Sequence, residues 1–311
     1  MGLRYEDFAA DVAPWASFGF DDPEQCDEEL RSFGIDRETR QTGPGKFRFD
    51  LAATEAGGAK VWSSRYRTGT SIAGAFPRDM AAIMLGRSPS DRVITNGRNV
   101  AGGRLVVFLD GQQADMAGSD LSGADCFAMP RARFHEISQA VCPASPRLEG
   151  VTIVEGDPGE LEVLRNGLCR LATQPDADPD VIGATIAWTC SDGIEVLTNR
   201  AKYRAAKKAR DYIHEHYASP IRIEDICRAT GVGVRTLQRC FSDYFDLTIR
   251  DYIKTVRLDA ARRGLRAARP LDTTVAAIAM RNGLSHLGRF SIEFRKRFGE
   301  LPSDVLARPL R

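Results

Sequence analysis

Two patterns of apolar and polar positions divide the chain. Up to about residue 150, apolar residues come in short runs: Lys46–Leu51, Ala59–Tyr66, Met80–Met84, Arg104–Leu109 and Asp125–Met129. Turn chemistry separates them at Thr42-Gly43-Pro44-Gly45, Gly57-Gly58, Asn96-Gly97, Gly102-Gly103 and Asp110-Gly111, and Pro143 and Pro146 close the region. Strands at this spacing predict a sandwich or barrel of antiparallel sheet. Beyond it the period lengthens. Leu161, Leu164, Leu168 and Leu171 are spaced three, four and three, which predicts a helix over 160–172. Further helices are predicted over 182–197 and 205–217, the last ended by Pro220. The leucine stripe suits packing on the sheet region or a dimer seam equally.

From there the pattern is helical to the end, and it repeats. Ile226 lies five residues before Gly231, and Ile278 five before Gly283. Leu237, Phe241 and Phe245 follow the first glycine, Phe290, Phe294 and Phe298 the second, both trios spaced four and four. A short unit occurring twice is a duplicated helix-turn-helix rather than a solenoid. The expected organisation is α+β: a β-rich region 1–150, bridging or dimerisation helices 151–198, and an all-α double helix-turn-helix 199–311.

The chemistry of the repeat points to nucleic acid. In the first unit Gly231 ends one helix, and a second runs from about Val234 to Tyr244 with Leu237, Cys240, Phe241 and Tyr244 inward. That leaves Arg235, Gln238, Arg239 and Ser242 on the outer stripe. Arg grips guanine O6/N7 and Gln grips adenine N6/N7 in two-pronged fashion, so these residues are candidate base readers in a major groove. Thr236 and Ser242 are secondary candidates. The second unit offers His286, Gly288, Arg289 and Ile292 outward, of which Arg289 is the base-reading candidate and His286 a secondary one. Arg295, Lys296 and Arg297 are expected at phosphates, and Thr273 or Thr274 caps the unit's first helix. More specificity is expected from the first unit than from the second.

Charge sharpens this. The whole chain is near neutral at +1, but residues 201–311 hold 23 Lys and Arg against 12 Asp and Glu, and residues 1–200 hold 20 against 30. A basic third beside an acidic remainder fits a polyanion partner for the former.

Residues 203–308 resemble the DNA-binding domain of the AraC/XylS family of bacterial transcription regulators. Gly231-Val232, Arg235–Arg239 and Phe241 carry the resemblance in the first unit, Tyr252 and Arg257–Ala261 in the linking helix. Val275–Ala279, Gly283, Gly288–Phe290, Phe294, Arg297–Gly299 and Pro302-Ser303 carry it in the second. The resemblance implies double-stranded promoter DNA as partner, with Arg235, Gln238, Arg239 and Arg289 entering successive major-groove segments. It also implies a cupin-like N-terminal domain that binds a small-molecule effector and helps form a homodimer, and contact with RNA polymerase; activator and repressor stay open, and the cytoplasm is the expected location. Ser285–Phe290 also resembles regulators of the ethanolamine-utilisation type. The chain departs from the family pattern at Gly233, where a serine N-cap is usual, at Asp246 and Ile249, where Gly and Pro are usual, and at Leu284, where Phe is common.

Other classes find little support. Gly43-Pro-Gly-Lys46 fails as a phosphate loop because Phe47 stands where Ser or Thr is needed, and GxSxG, HExxH and GxGxxG are all missing. No enzymatic activity, cofactor or metal is therefore expected. His135 is the one histidine before residue 200, so a histidine-rich metal site cannot be built there. The longest apolar runs are far too short for a bilayer, and Glu6 and Asp7 stand where a signal peptide needs basic residues. Seven cysteines without a CxxC pair read as reduced thiols. Trp62, Tyr66, Phe76, Phe108, Arg65 and Arg67 line an effector pocket or fill a barrel. The alternative to a regulator is a small-molecule-binding protein or enzyme with an appended DNA module.

Overall fold

The computed structural model describes residues 16–308, apart from 33, 88–92, 101–103, 110, 112, 119–121, 144–149, 175, 192–193 and 197–199. The expected turn at Gly102-Gly103, Asp110, Pro146 and the segment 1–10 lie outside the described residues.

Strands β1 (Ala16–Phe20), β3 (Phe49–Ala56), β4 (Ala59–Tyr66), β6 (Met80–Gly86), β9 (Arg104–Phe108), β11 (Gly123–Pro130), β12 (Val151–Glu155) and β13 (Ile194–Val196) form one sheet in the order β1-β3-β4-β11-β6-β9-β12-β13. Strands β2 (Asp36–Gln41), β5 (Thr70–Ala75), β7 (Val93–Thr95), β8 (Arg98–Asn99) and β10 (Gln113–Gly118) form a second, in the order β2-β5-β10-β7-β8. The central strands of the larger sheet are covered on both faces. Ala82, Met84, Val106 and Phe108 enter the layer between the sheets, while Ile83, Leu85, Leu105 and Val107 face helices on the other side. Double burial explains why these runs are continuously apolar instead of alternating.

Helix α1 (Pro23–Ser32) seals one end of the sandwich with Cys26 and Leu30. Helices α2 (Arg131–Val141), α3 (Pro158–Thr173) and α4 (Pro179–Thr189) cover the outer face of the larger sheet. Leu161, Leu164, Leu168 and Leu171 are all buried there, so the leucine stripe packs within the chain. The helix expected over 182–197 stops at Thr189, and Ile194–Val196 pairs with β12 instead. A short apolar run of this kind fits either period, and pairing with β12 gives it the extended form. With β12 and β13 in the sheet, the β-rich unit reaches past residue 150.

Seven helices complete the described chain: α5 (Arg200–His216), α6 (Ile223–Thr230), α7 (Val234–Phe245), α8 (Ile249–Ala267), α9 (Val275–Arg281), α10 (Leu287–Phe298) and α11 (Pro302–Leu306). They make two cores. One gathers Ala209, Ile213, Ile226, Leu237, Phe241 and Phe245, the other Ile278, Phe290, Phe294, Phe298 and Val305. Helix α8 joins them, giving Tyr252 and Val256 to the first core and Leu258, Ala261 and Leu265 to the second. Thr248 Oγ1 caps its start by accepting from Asp251 N at 3.1 Å, and Thr274 Oγ1 caps α9 from Ala277 N at 3.1 Å. The helix before each reader ends in a left-handed glycine, Gly231 and Gly283, both at φ 74°. At Gly283 a side chain would also meet the carbonyls of Tyr217 and Ala218 at 3.0 Å.

Candidate nucleic-acid interface

Helices α7 and α10 each have 12 residues, and a shift of 53 superposes their numbering from first residue to last. The buried stripe is common to both: Leu237, Phe241 and Phe245 match Phe290, Phe294 and Phe298. With that stripe fixed inward, helical geometry sets what faces out. On α7, Arg235, Thr236, Gln238, Arg239 and Ser242 are all exposed with the sheet domain in place. On α10 the same positions carry Gly288, Arg289, Ser291, Ile292 and Arg295. Gly233 at the start of α7 offers no side-chain cap, and neither does His286 at the start of α10. The first-turn N–H groups of both helices are left for other partners, an arrangement suited to phosphate oxygens.

The two helices meet across a groove of about 1100 Å³ lined by Gln238 and Ser242 on one side and Ser285, His286 and Arg289 on the other. Arg250 and Lys254 of α8 also line it. The structure thus brings Gln238, Ser242, His286 and Arg289 together, while Arg235, Thr236 and Arg239 stand on the exposed face of α7 outside the groove. Arg289 Nε donates to Glu293 Oε1 at 3.0 Å, and Lys254 Nζ approaches the same oxygen at 3.9 Å. Glu293 therefore fixes the direction of Arg289. The i,i+4 spacing of these two residues was the available signal for it.

The three basic residues at the end of α10 separate. Arg295 and Lys296 are exposed, whereas Arg297 is 7% exposed. Its Nη2 donates to the carbonyl of Gln41, whose own Nε2 donates back to Arg297 O at 2.6 Å. Arg297 Nε also lies 3.9 Å from Asp259, which Arg40 approaches at 3.7 Å. Burial pushes the Asp259 carboxyl up, opposed by those two guanidinium groups. Arg297 is placed against the sheet domain, away from the face that presents Arg295. Residue 297 lies seven positions after Phe290 and three after Phe294, on the buried stripe, and this spacing is where its different role could be read.

Further contacts tie the domains together. Arg210 of α5 pairs with buried Asp115 of β10, Arg262 and Arg266 of α8 reach Asp22, and Tyr244 of α7 packs on Gly97. Tyr244 and Arg297 occupy equivalent positions of the two reader helices, so each reader is anchored to the sheet domain through the same step of its register.

Residues 226–308 match a family model described as a helix-turn-helix domain. The "Probable thc operon regulatory protein" of Rhodococcus erythropolis is 37% identical over 98 residues, 32% of this chain and 30% of that protein. The XylDLEGF operon transcriptional activator of Pseudomonas putida is 32% identical over 95 residues, 30% of each chain. Residues 226–308 are thus a helix-turn-helix domain. The similarity spans about 30% of the length of these curated relatives. Among solved structures, the "probable AraC family transcriptional regulator" of Rhodopseudomonas palustris CGA009 is 35% identical, covering 34% of this chain and 98% of that one, with a TM-score of 0.32.

Outside the helix-turn-helix domain, an apolar cavity of about 350 Å³ opens beside the sandwich, lined by Leu30, Ile35, Leu51, Trp62, Phe76 and Met80. Of the residues expected at a pocket, Trp62 and Phe76 line it. Tyr66 and Phe108 are core residues, and Arg67 Nε donates to Asp50 at 2.9 Å. The buried thiols Cys26 and Cys190 are pushed up to about 11 and about 12 by burial, and Cys126 is raised too. Protonated thiols of this kind are poor nucleophiles for oxidants. Among the described residues no helix is long and apolar enough to cross a membrane.

Proposed function

We propose that the chain is a sequence-specific, non-enzymatic transcription regulator of the cytoplasm that reads promoter DNA through α7 and α10. The observation that carries this reading is the pair of register-matched, outward-facing helices, one bearing Arg235, Gln238 and Arg239, the other Arg289 held by Glu293. Arg235, Gln238, Arg239 and Arg289 contact base edges. Thr236, Ser242, His286, Arg295 and Lys296 contact the backbone, which sets position and affinity rather than sequence.

An effector modulates this activity by binding at the apolar cavity of the sheet domain, where Trp62 and Phe76 favour a compound with substantial apolar surface. The resemblance of Ser285–Phe290 to ethanolamine-utilisation regulators makes ethanolamine the polar control for that expectation. Coupling runs through the two anchors, Tyr244 on Gly97 and Arg297 on Gln41, because a ligand that favours one arrangement of the sheet domain shifts how the readers are held. RNA polymerase contact and a homodimer belong to the same reading, as does activation.

Selection of bound duplexes from a random library by the full-length chain, at near-physiological salt, tests it. Two enriched segments about one helical turn apart, roughly 10 bp, are expected. Binding without any enriched sequence would replace the regulator with a general DNA-coating protein.

A further inference from the structure

The superposition of the two readers places Ile292 where α7 carries Arg239. Ile292 is 72% exposed, one of the largest exposures of any apolar residue in the helical domain, and its outward neighbours Arg289, Arg295 and Lys296 are all cationic. It packs into neither helical core. One turn earlier on the same face stands Gly288, at the position of Arg235. A Cβ built at Gly288 would meet nothing within 4 Å, so neither packing nor backbone conformation in the free protein requires glycine there. A glycine inside a helix without an internal reason is expected where another molecule's surface comes close to the backbone.

These two features point the same way. Gly288 lets the start of α10 settle deep in a groove, and Ile292 is then the side chain that meets what lies at the bottom. In a major groove the one apolar group on any base edge is the C5-methyl of thymine. We propose that the Gly288–Ile292 face reads a thymine by packing Ile292 on its methyl group, beside the base addressed by Arg289. The second reader thus specifies by shape and apolar contact where the first specifies by hydrogen bonds. This inference rests on the regulator reading above.

The test uses the full-length chain and the duplex enriched by selection. Each thymine in the segment read by α10 is replaced in turn by deoxyuridine, which removes the methyl and leaves every hydrogen-bonding group. One replacement is expected to weaken binding about fourfold, the scale of burying a single methyl. Ile292→Ala should bind the thymine and deoxyuridine duplexes equally, and a cytosine at that position should regain binding to the wild-type chain when converted to 5-methylcytosine. Arg239→Ala should retain the thymine preference. If every deoxyuridine duplex binds like its parent, or if Ile292→Ala keeps the fourfold preference, the proposal is wrong while the regulator reading stands. If the chain enriches no sequence at all, both fall together.

Discussion

Helices α7 and α10 agree in length, in register and in their buried stripe, and differ at nearly every outward position. Where α7 has Arg235, Gln238 and Arg239, α10 has Gly288, Ser291 and Ile292, and where α10 has Arg289, α7 has Thr236. Packing therefore constrains one face of the duplicated unit and leaves the other open to change. Their environments differ as well. The α7 core reaches the sheet domain through Tyr244 and lies under α5, whereas α10 is held by a buried guanidinium, Arg297, against Gln41 and Asp259. The first unit's buried charge, Arg210 on Asp115, lies on α5, whereas the second unit carries its own on the reader helix itself, and a buried charge does not tolerate loss of its partner.

The largest expected effect comes from breaking that second anchor. Arg297→Ala leaves Asp259 buried with Arg40 as its remaining ion-pair partner, at 3.7 Å. Removing one partner of a buried pair costs about 3–5 kcal/mol, and the remaining guanidinium places this case near about 3. Chemical denaturation of the full chain should show it. Arg295→Ala, two residues away, should leave stability within about 0.5 kcal/mol and instead lower the salt slope of DNA binding by about 1. Equal losses of stability in both variants would mean that α10 does not divide its basic end between sheet domain and duplex.

Next in size is the contrast between readers. Arg239→Ala should cost about 1–3 kcal/mol of binding to the selected duplex and relax preference at one base position. Competition titrations against single-base variants would measure it. An undiminished preference would remove Arg239 from the base-reading set and weaken the assignment of hydrogen-bonded readout to α7.

The helical repeat was legible because its signals are local. Phe spacing, the left-handed glycines and the threonine cap at 274 all act within one or two turns. What escaped was long-range. Gln41 and Arg297 are 256 residues apart in sequence, and nothing in either neighbourhood announces the other. Arg295, Lys296 and Arg297 are one basic run in sequence, yet successive helical residues diverge by about 100°, so three in a row do not share a face. The segment after Thr189 carries a short apolar run that fits either period. Its partner strand, 151–155, decides the matter and lies some forty residues upstream.

A smaller effect of unusual sign is expected at Gly288. Gly288→Ala meets no atom in the free chain and removes a glycine from a helix, so the protein should become more stable by about 0.5–1 kcal/mol. Binding to the selected duplex should weaken, because the added methyl holds the start of α10 off the groove. At Gly233, which also has open space around it but precedes its helix, alanine should give no such stabilisation. Thermal melts and titrations on the same two variants separate folding from recognition. A Gly288→Ala chain that binds as well as the parent would show that α10 does not need close backbone approach.

The smallest expected effect again distinguishes the two units, by acidity. His214 of α5 lies behind the first unit, its Nε2 at 3.0 Å from Tyr252 Oη, and Tyr252 packs edge-on against Phe241 of α7. Burial, then the cations Arg40, Arg210 and Arg263, push His214 down to about 3 from its ordinary value of 6.5. Between those two values the unfolded chain binds a proton that the folded chain excludes. The contribution of neutral His214 is therefore complete above about pH 6.5 and is lost progressively as pH falls toward 3. Replacing His214 by Gln, which keeps a hydrogen-bonding group for Tyr252 and does not titrate, should flatten the fall of Tm between pH 7 and pH 5. The second unit has His286 as its histidine, and that residue is exposed, so the acid-sensitive part of the domain should be the first unit. Amide exchange at pH 5 is expected to rise in α7 and the start of α8 before it rises in α10. Parallel loss of protection in both reader helices would show that the two units unfold as one, through the shared helix α8, and that the acid response does not respect the boundary between their cores.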